Sequence, residues 1–458
     1  MRHMISVIAL GALGLAGLAT PVQAATPPLV AIENARIVPV SGPVIEKGTL
    51  VFRNGIITDV GASIATPKGA WIIDGNGLTV YPGLIDAYSS WGLAESAAPA
   101  AGAGRQAAQA APAVGATPAA RSWGPADRPG TNSWVRAADL IKPSEKKVEQ
   151  ARSAGFTSAA TFPRQGLVGG HGAIINLGGE TAGAMVVEPS IGLQMSLSPS
   201  GYMGYPSSGM GVFAYFRQLW LDADHYTLAQ ALYKRQPAET PRPAYDHALE
   251  GVLEARRVLL PAASPTALER ILALSSDLKT PAVVYGVVEG YEMAARLKET
   301  ATPAVLNLKW PTKERDSDPE HVDSLRTLEI RDKAPTSPVV LSKAGVKWAI
   351  SSDGLESARD IAKALKKSID LGLKKEDALR ALTLSAAEIY GVDARLGSID
   401  KGKIANVVVT NGDLFDDKTK VVMVFVDGVK YLPAIEAARP GPGAGNGQPP
   451  APVEEEER

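Results

Sequence analysis

Between residues 81 and 390, short apolar runs of β type alternate with stretches of helical spacing, and the segments on either side carry β-type runs broken by turn signals. That pattern predicts an α/β chain in which a parallel α/β region is flanked on both sides by segments of β texture. An apolar content of 45% over 458 residues is ample for buried cores of this size.

The opening β-domain is expected over 25–80. Its runs are Ala35–Val40, Gly48–Phe52, Ile56–Val60 and Trp71–Asp74, and the Asn54-Gly55 pair between two of them is a hairpin signal because both turn positions favour positive φ. In the central region, strands are expected at Thr79–Ala87, Phe156–Phe162, Ala173–Leu177, Ala184–Val187, Arg257–Ala263, Ala282–Val287, Ala304–Lys309 and Lys347–Ser352. Helices are expected from Ser208 to Arg235, from Pro265 to Leu278 behind a Ser264 cap, and from Glu376 to Tyr390 with Gly391 as the stop. The closing runs, Gly397–Lys403, Ala405–Thr410 and Val421–Val426, repeat the β texture of the opening over 391–434.

Three segments stand apart. Arg2, the apolar stretch Ile5–Ala19 and Val22-Gln23-Ala24 have the order of a secretory signal, so 1–24 is expected to be removed after Ala24 and the protein to work in a bacterial periplasm, with release outside the cell as second choice. Residues 94–120 are mostly Ala, Gly, Pro and Gln, an insertion of low complexity, and 435–458 form a Pro/Gly-rich tail ending in an acidic run. There is no cysteine, which excludes disulfides, thiolate metal sites and a lipidated N-terminal Cys. Forty-seven basic residues against forty-eight acidic ones give no electrostatic case for a nucleic acid or an anionic membrane, and no segment beyond the signal reads as a membrane anchor.

The run Tyr81-Pro82-Gly83-Leu84-Ile85-Asp86-Ala87-Tyr88-Ser89-Ser90, the strand Val346–Ser352 followed by Asp353-Gly354, and the closing Gly-Ser-Ile and Lys-Gly pieces resemble the amidohydrolase superfamily, in particular exported members of its imidazolonepropionase-like branch. The resemblance implies a TIM-type (β/α)8 barrel over 81–390 with a composite β-sandwich from both termini. It also implies hydrolysis of non-peptide C–N bonds with Zn or another divalent metal, held by two strand-one histidines, a lysine or glutamate after strand four, histidines after strands five and six, and an aspartate after strand eight. Each role needs a particular residue type, because the metal must lower the pKa of a bound water and the aspartate must move its proton.

Counting against that pattern leaves little. Tyr88 and Ser90 occupy the two strand-one positions, and Leu259–Ala263 and Val284–Val287 offer no imidazole. Of five histidines, His3 falls in the signal, while His225, His247 and His321 sit in polar contexts suited to surface helices. Asp353 matches the catalytic aspartate, with a retained helix cap as the plainer reading. His171, in a glycine-rich turn, is a candidate acid or base, a solvent-exposed turn histidine being the commoner case. Asp86, Tyr88, Ser90 and Tyr285 are the candidate binding residues. No Gly-x-Ser-x-Gly elbow frames Ser89 or Ser90, and Gly201–Gly211 lacks the ending of a phosphate loop. The aromatic stretch Gln194–Arg217, which includes Tyr202, suits packing or a pocket wall.

The expectation is therefore an amidohydrolase-like protein without a cofactor. It would serve as a non-catalytic subunit or binding module, as a homo-oligomer or with an intact homologue, with a small-molecule ligand allowed. The alternative is an active C–N hydrolase with an unusual site centred on Asp353.

Overall fold

The computed structural model describes residues 27–93, 128, 130–198, 205–313, 322–355 and 357–433. The signal segment with its cleavage site after Ala24, the 94–120 insertion, the 435–458 tail, Tyr202 and His321 lie outside the described residues.

β1 (Leu29–Ile37), β2 (Ile45–Arg53) and β3 (Ile56–Gly61) form an antiparallel meander. β2 turns into β3 at Asn54 (φ 49°) and Gly55 (φ 79°), the two left-handed positions that an Asn-Gly hairpin supplies. β4 (Trp71–Asp74) and β5 (Thr79–Pro82) both run parallel to β1. The next strand, β6 (Leu84–Ser89), belongs to a different sheet, so the single strand expected over Thr79–Ala87 is two strands meeting at Gly83. Only glycine fits the joint, since a Cβ there would lie 2.0 Å from Thr157 Oγ1.

β7 (Phe156–Thr161) pairs parallel with β6. β8 (Val168–His171) and β9 (Ala173–Asn176) follow, and β9 runs antiparallel to β7. The expectation of a third parallel strand over Ala173–Leu177 is thus corrected. A parallel return needs a crossover of about a dozen residues, usually a helix, and the 162–172 connection already contains β8. Of Ala184–Val187 only Val186 and Val187 are in a strand. The Thr181 hydroxyl accepts the Ala184 N–H at 3.3 Å and starts a helical turn, Ala182–Met185, before β10 (Val186–Glu188) pairs antiparallel with β9.

Regular parallel order resumes with β11 (Leu193–Met195), β12 (Val258–Pro261), β13 (Ala282–Val287), β14 (Ala304–Asn307) and β15 (Trp348–Ser351), with β8 antiparallel along the β11 edge. Side chains along these strands sort by position. Ile85, Ala87, Phe162, Leu259, Val283, Val305 and Ala349 meet in one buried cluster between the sheets. Leu84, Val258, Leu260, Val284, Leu306 and Ile350, one residue away, pack outward in the larger helix-facing core. That two-layer division is what a period of two produces when a curved sheet is filled inside and covered by helices outside.

The covering helices start and stop where their caps dictate. Gly209–Arg235 begins behind Ser208, whose hydroxyl accepts Gly211 N at 3.2 Å, and Pro265–Asp277 begins behind Ser264. The helix expected over Glu376–Tyr390 is divided into Lys375–Ala381 and Leu384–Tyr390, because Thr383 leaves helical geometry and turns its hydroxyl back onto the Leu379 carbonyl; Gly391 (φ 73°) ends the second piece. Among the described residues no helix is long and apolar enough to cross a membrane.

β16 (Val407–Thr410), β17 (Val421–Val426) and β18 (Val429–Tyr431) return to the first sheet, with β16 antiparallel to β5. The result is an eight-stranded β-rich layer whose core joins Ile32, Leu50, Phe52 and Val80 from the first part of the chain to Val407, Val409 and Phe425 from the last.

Candidate functional site

The C-terminal ends of β6 and β15 lie side by side. The Ser351 hydroxyl donates to the Tyr88 carbonyl at 2.8 Å, and the Ser352 backbone N–H donates to Asp86 at 3.2 Å. The Ser352 hydroxyl donates to the other carboxyl oxygen of Asp86, and the Tyr88 N–H reaches the first at 3.0 Å. Asp86 is fully buried, and burial pushes its carboxyl up to about 7 despite these hydrogen bonds and the nearby Arg164 charge, which favour the ionised form.

Tyr88 does not stand beside Ser90 as strict alternation would place it. The pairing of β6 with β7 shifts register between Asp86 and Ser89, which sends the Tyr88 ring into the interior cluster while Ser90 lines a cleft at the surface. The ring is sandwiched. Tyr285 stacks on it with centroids 4.1 Å apart and planes 17° apart, and Phe162 stacks at 5.3 Å. Gln194 donates to the Tyr285 hydroxyl at 3.2 Å, and that hydroxyl donates to the Met195 carbonyl at 3.1 Å. Burial, then the charge of the neighbouring phenol, raises the Tyr88 pKa well above the ordinary tyrosine range, and burial raises that of Tyr285; both rings are neutral at any physiological pH.

Arg164, three residues past β7, completes the arrangement. Its guanidinium carbon lies 4.5 Å from the centroid of the Tyr88 ring, and its Nη1 donates to Asp353 Oδ1 at 2.7 Å. Burial alone would lower its pKa, but Tyr88, Asp353 and Asp86 raise it on balance, so the cation is permanent. Asp353 is also fixed from behind, its N–H donating to the Ser351 hydroxyl at 2.9 Å. Ser89, Ser90, Lys147, Gln150, Arg164, Ser352 and Asp353 wall a polar cleft of about 170 Å³.

The sequence is matched over residues 318–430 by the model of the Amidohydrolase family. The fold is similar to that of an amidohydrolase from Thermotoga maritima MSB8, at 25% identity over 88% of this chain and 99% of that one, with a TM-score of 0.71. The chain is thus similar to amidohydrolases in sequence over 318–430 and in fold over most of its length. A prolidase complexed with N-methylphosphonate-L-proline (18% identity, 88% and 99% covered, TM-score 0.52) and molinate hydrolase (17%, 89% and 95%, 0.51) share the fold. No curated protein sequence matches it. The superfamily's architecture, a TIM-type barrel with a β-rich domain, accounts for the two layers described above.

The carboxylates at the ends of β6 and β15 are already engaged by other groups. Among the described residues no three His, Cys, Asp or Glu side chains converge as ligands. Both Asp86 oxygens are taken by N–H and O–H donors, and Asp353 faces a fixed guanidinium that repels a second cation. A zinc site needs three or four donors free of such engagements.

His171 lies elsewhere. It is a fully buried residue of β8, so the exposed-turn reading is corrected. Its Nε2 is 2.8 Å from the Gly251 carbonyl and its Nδ1 is 3.1 Å from the Ser190 hydroxyl. One tautomer satisfies both contacts, with Nε2 donating and Nδ1 accepting, and burial lowers its pKa, which keeps the ring neutral. The structure therefore brings Asp86, Tyr88, Tyr285 and Asp353 together, sets Ser90 on the rim, and gives His171 a structural hydrogen-bonding role away from them. His225 and His247 are exposed on helices. Arg164 and Phe162 were not legible as site residues, and Gln194 was named only as the start of a stretch suited to packing or a pocket wall; the usable signal was a charged residue just past the end of a strand, in Phe162-Pro163-Arg164.

Proposed function

We propose that this member of a superfamily of C–N bond hydrolases is non-catalytic. In this reading it is an exported protein of the imidazolonepropionase-like branch, working in the periplasm as a subunit or binding module beside an intact homologue. One observation carries the reading: Arg164 lies over Tyr88 and pairs with Asp353 at the place where the family reaction needs a metal-bound water. A guanidinium supplies charge but cannot activate water, since it never gives up its proton. In the same reading, the Asp86–Ser352 contacts close a TIM-type barrel and the eight-stranded layer folds as a composite sandwich.

Metal analysis of the purified chain tests it. The expected result is far less than one equivalent of zinc or manganese with no amide or lactam hydrolysis, and about one tightly held transition metal per chain would sink the idea. A second reading, an active hydrolase centred on Asp353, is favoured by one feature: the Asp86 carboxyl, near 7, can hold or release a proton at neutral pH. Hydrolysis by metal-free protein that disappears in Asp353→Asn would decide for it.

A further inference from the structure

The polar cleft of about 170 Å³ is bounded by the ends of β6 and β15, by Arg164 and by the helix Lys146–Ser153, and its walls carry hydrogen-bonding capacity that the protein leaves unused. Arg164 spends Nη1 on Asp353 and lays its flat face over the Tyr88 ring. A guanidinium has five N–H donors, so most of those on Arg164 have no partner among the described residues. The Ser90 hydroxyl and the Gln150 amide, both on the wall, also hydrogen-bond nothing among the described residues. Asp353 is engaged by Arg164 through Oδ1, which leaves Oδ2 as an open acceptor.

Charge narrows what such a cleft can hold. Arg164 and Lys147 against Asp353 leave a single positive charge on the described wall. A phosphate group carries about −1.5 to −2 charges at neutral pH and would bring the excess up against Asp353. A carboxylate brings one charge, and its two oxygens match the guanidinium fork. The open oxygen of Asp353 then calls for a donor on the same ligand. An amino acid supplies one through its ammonium group but has no net charge, whereas a hydroxyl supplies one and keeps the ligand anionic. Space sets the size: the cleft holds roughly six water-sized groups at ~30 Å³ each, the bulk of a three-carbon acid.

We propose that this cleft binds a small hydroxycarboxylate, with Arg164 and Lys147 attracting its carboxylate, Ser90 and Gln150 adding donors, and Asp353 accepting from its hydroxyl. The ligand class rests on the non-catalytic reading above, because a metal at the same strand ends would take Asp353.

Isothermal titration calorimetry of the purified chain with lactate tests it, with propionate, alanine and inorganic phosphate as comparisons. Saturable lactate binding is expected, weaker by about tenfold or more for propionate, which cannot donate to Asp353. Arg164→Gln should weaken lactate binding by about tenfold or more, and Gln150→Ala, at an exposed helix position, by about threefold with an unchanged melting temperature. No saturable lactate binding overturns the proposal. So does propionate, alanine or phosphate binding as tightly as lactate, or a lactate affinity indifferent to both substitutions. Metal content measured on the same sample separates the two ideas: a tightly held transition metal sinks the non-catalytic reading, whereas a metal-free chain that ignores lactate sinks the ligand class alone.

Discussion

Arg164 and Asp353, 189 positions apart in the chain, hold each other at 2.7 Å beyond the ends of β7 and β15, and the same guanidinium covers the Tyr88 ring at 4.5 Å. Both charged side chains are about one-third exposed, at 35% and 37%, so solvent screens much of their attraction. Arg164→Gln should therefore cost only about 1 kcal/mol, combining a weak ion pair with a partly exposed cation–π contact. Urea unfolding should show a lower midpoint with an unchanged m-value.

The two strand-one positions can be refilled. The double substitution Tyr88→His with Ser90→His supplies the missing imidazoles, yet it should not yield stoichiometric zinc, because Arg164 and the donors already engaged by Asp86 remain. Mass spectrometry of metal content after dialysis against zinc checks this. One bound equivalent would mean that the site differs from a working one by those two side chains alone.

Asp86 gives the molecule a pH signature. Its folded pKa, near 7, lies above the unfolded value of about 3.9. Between those two values the folded state binds more protons than the unfolded one, so stability is fully present below about pH 4 and falls as pH rises toward 7, levelling off above it. The slope from this group is at most on the order of 1 kcal/mol per pH unit. Asp86→Asn, which keeps an acceptor for Ser352 and Tyr88, should flatten that part of the stability curve; denaturant midpoints at pH 5, 6 and 7.5 would reveal an unaltered slope if the assignment is wrong.

Gly55 joins the two ends of the chain. Its carbonyl accepts the Ala405 N–H at 2.7 Å, and a Cβ on it would lie 2.7 Å from the Asp427 carbonyl while φ is 79°. Gly55→Ala should destabilise the β-rich layer by about 1–3 kcal/mol through strain and displacement of β17. Thermal melting against Gly42→Ala, where a Cβ meets nothing within 4 Å, provides the comparison.

Local signals carried most of the fold into view. Asn54-Gly55, Ser208, Ser264-Pro265 and Gly391 act through their own backbone preferences, and the structure places turns and caps at each. Strand direction is not local. Ala173–Asn176 has the composition of a barrel strand, and only the shortness of the connection behind it forces the antiparallel course. At the site, Asp86, Tyr88 and Asp353 were legible through the resemblance, because they occupy positions of its strand-one and strand-eight motifs. Arg164 was not, since an arginine in a loop has no periodicity and its partner lies in a turn beyond a distant strand. His171 misled because glycines on both sides suggest an exposed turn, whereas Gly170 and Gly172 here allow β8 to pack closely against Val135 and Phe162.

The clasp between Asp86 and Ser352 spans 266 residues. A ribosome must therefore add 266 residues after Asp86 before the Ser352 donors to that carboxyl exist, whereas the Tyr88 N–H is there at once. Contacts of such separation form late, because the entropy of closing so long a loop precedes any reward. The nascent protein thus carries an incompletely housed acid until β15 is made, protonated or hydrated according to the compartment, and seating β15 beside β6 waits on all the chain between them.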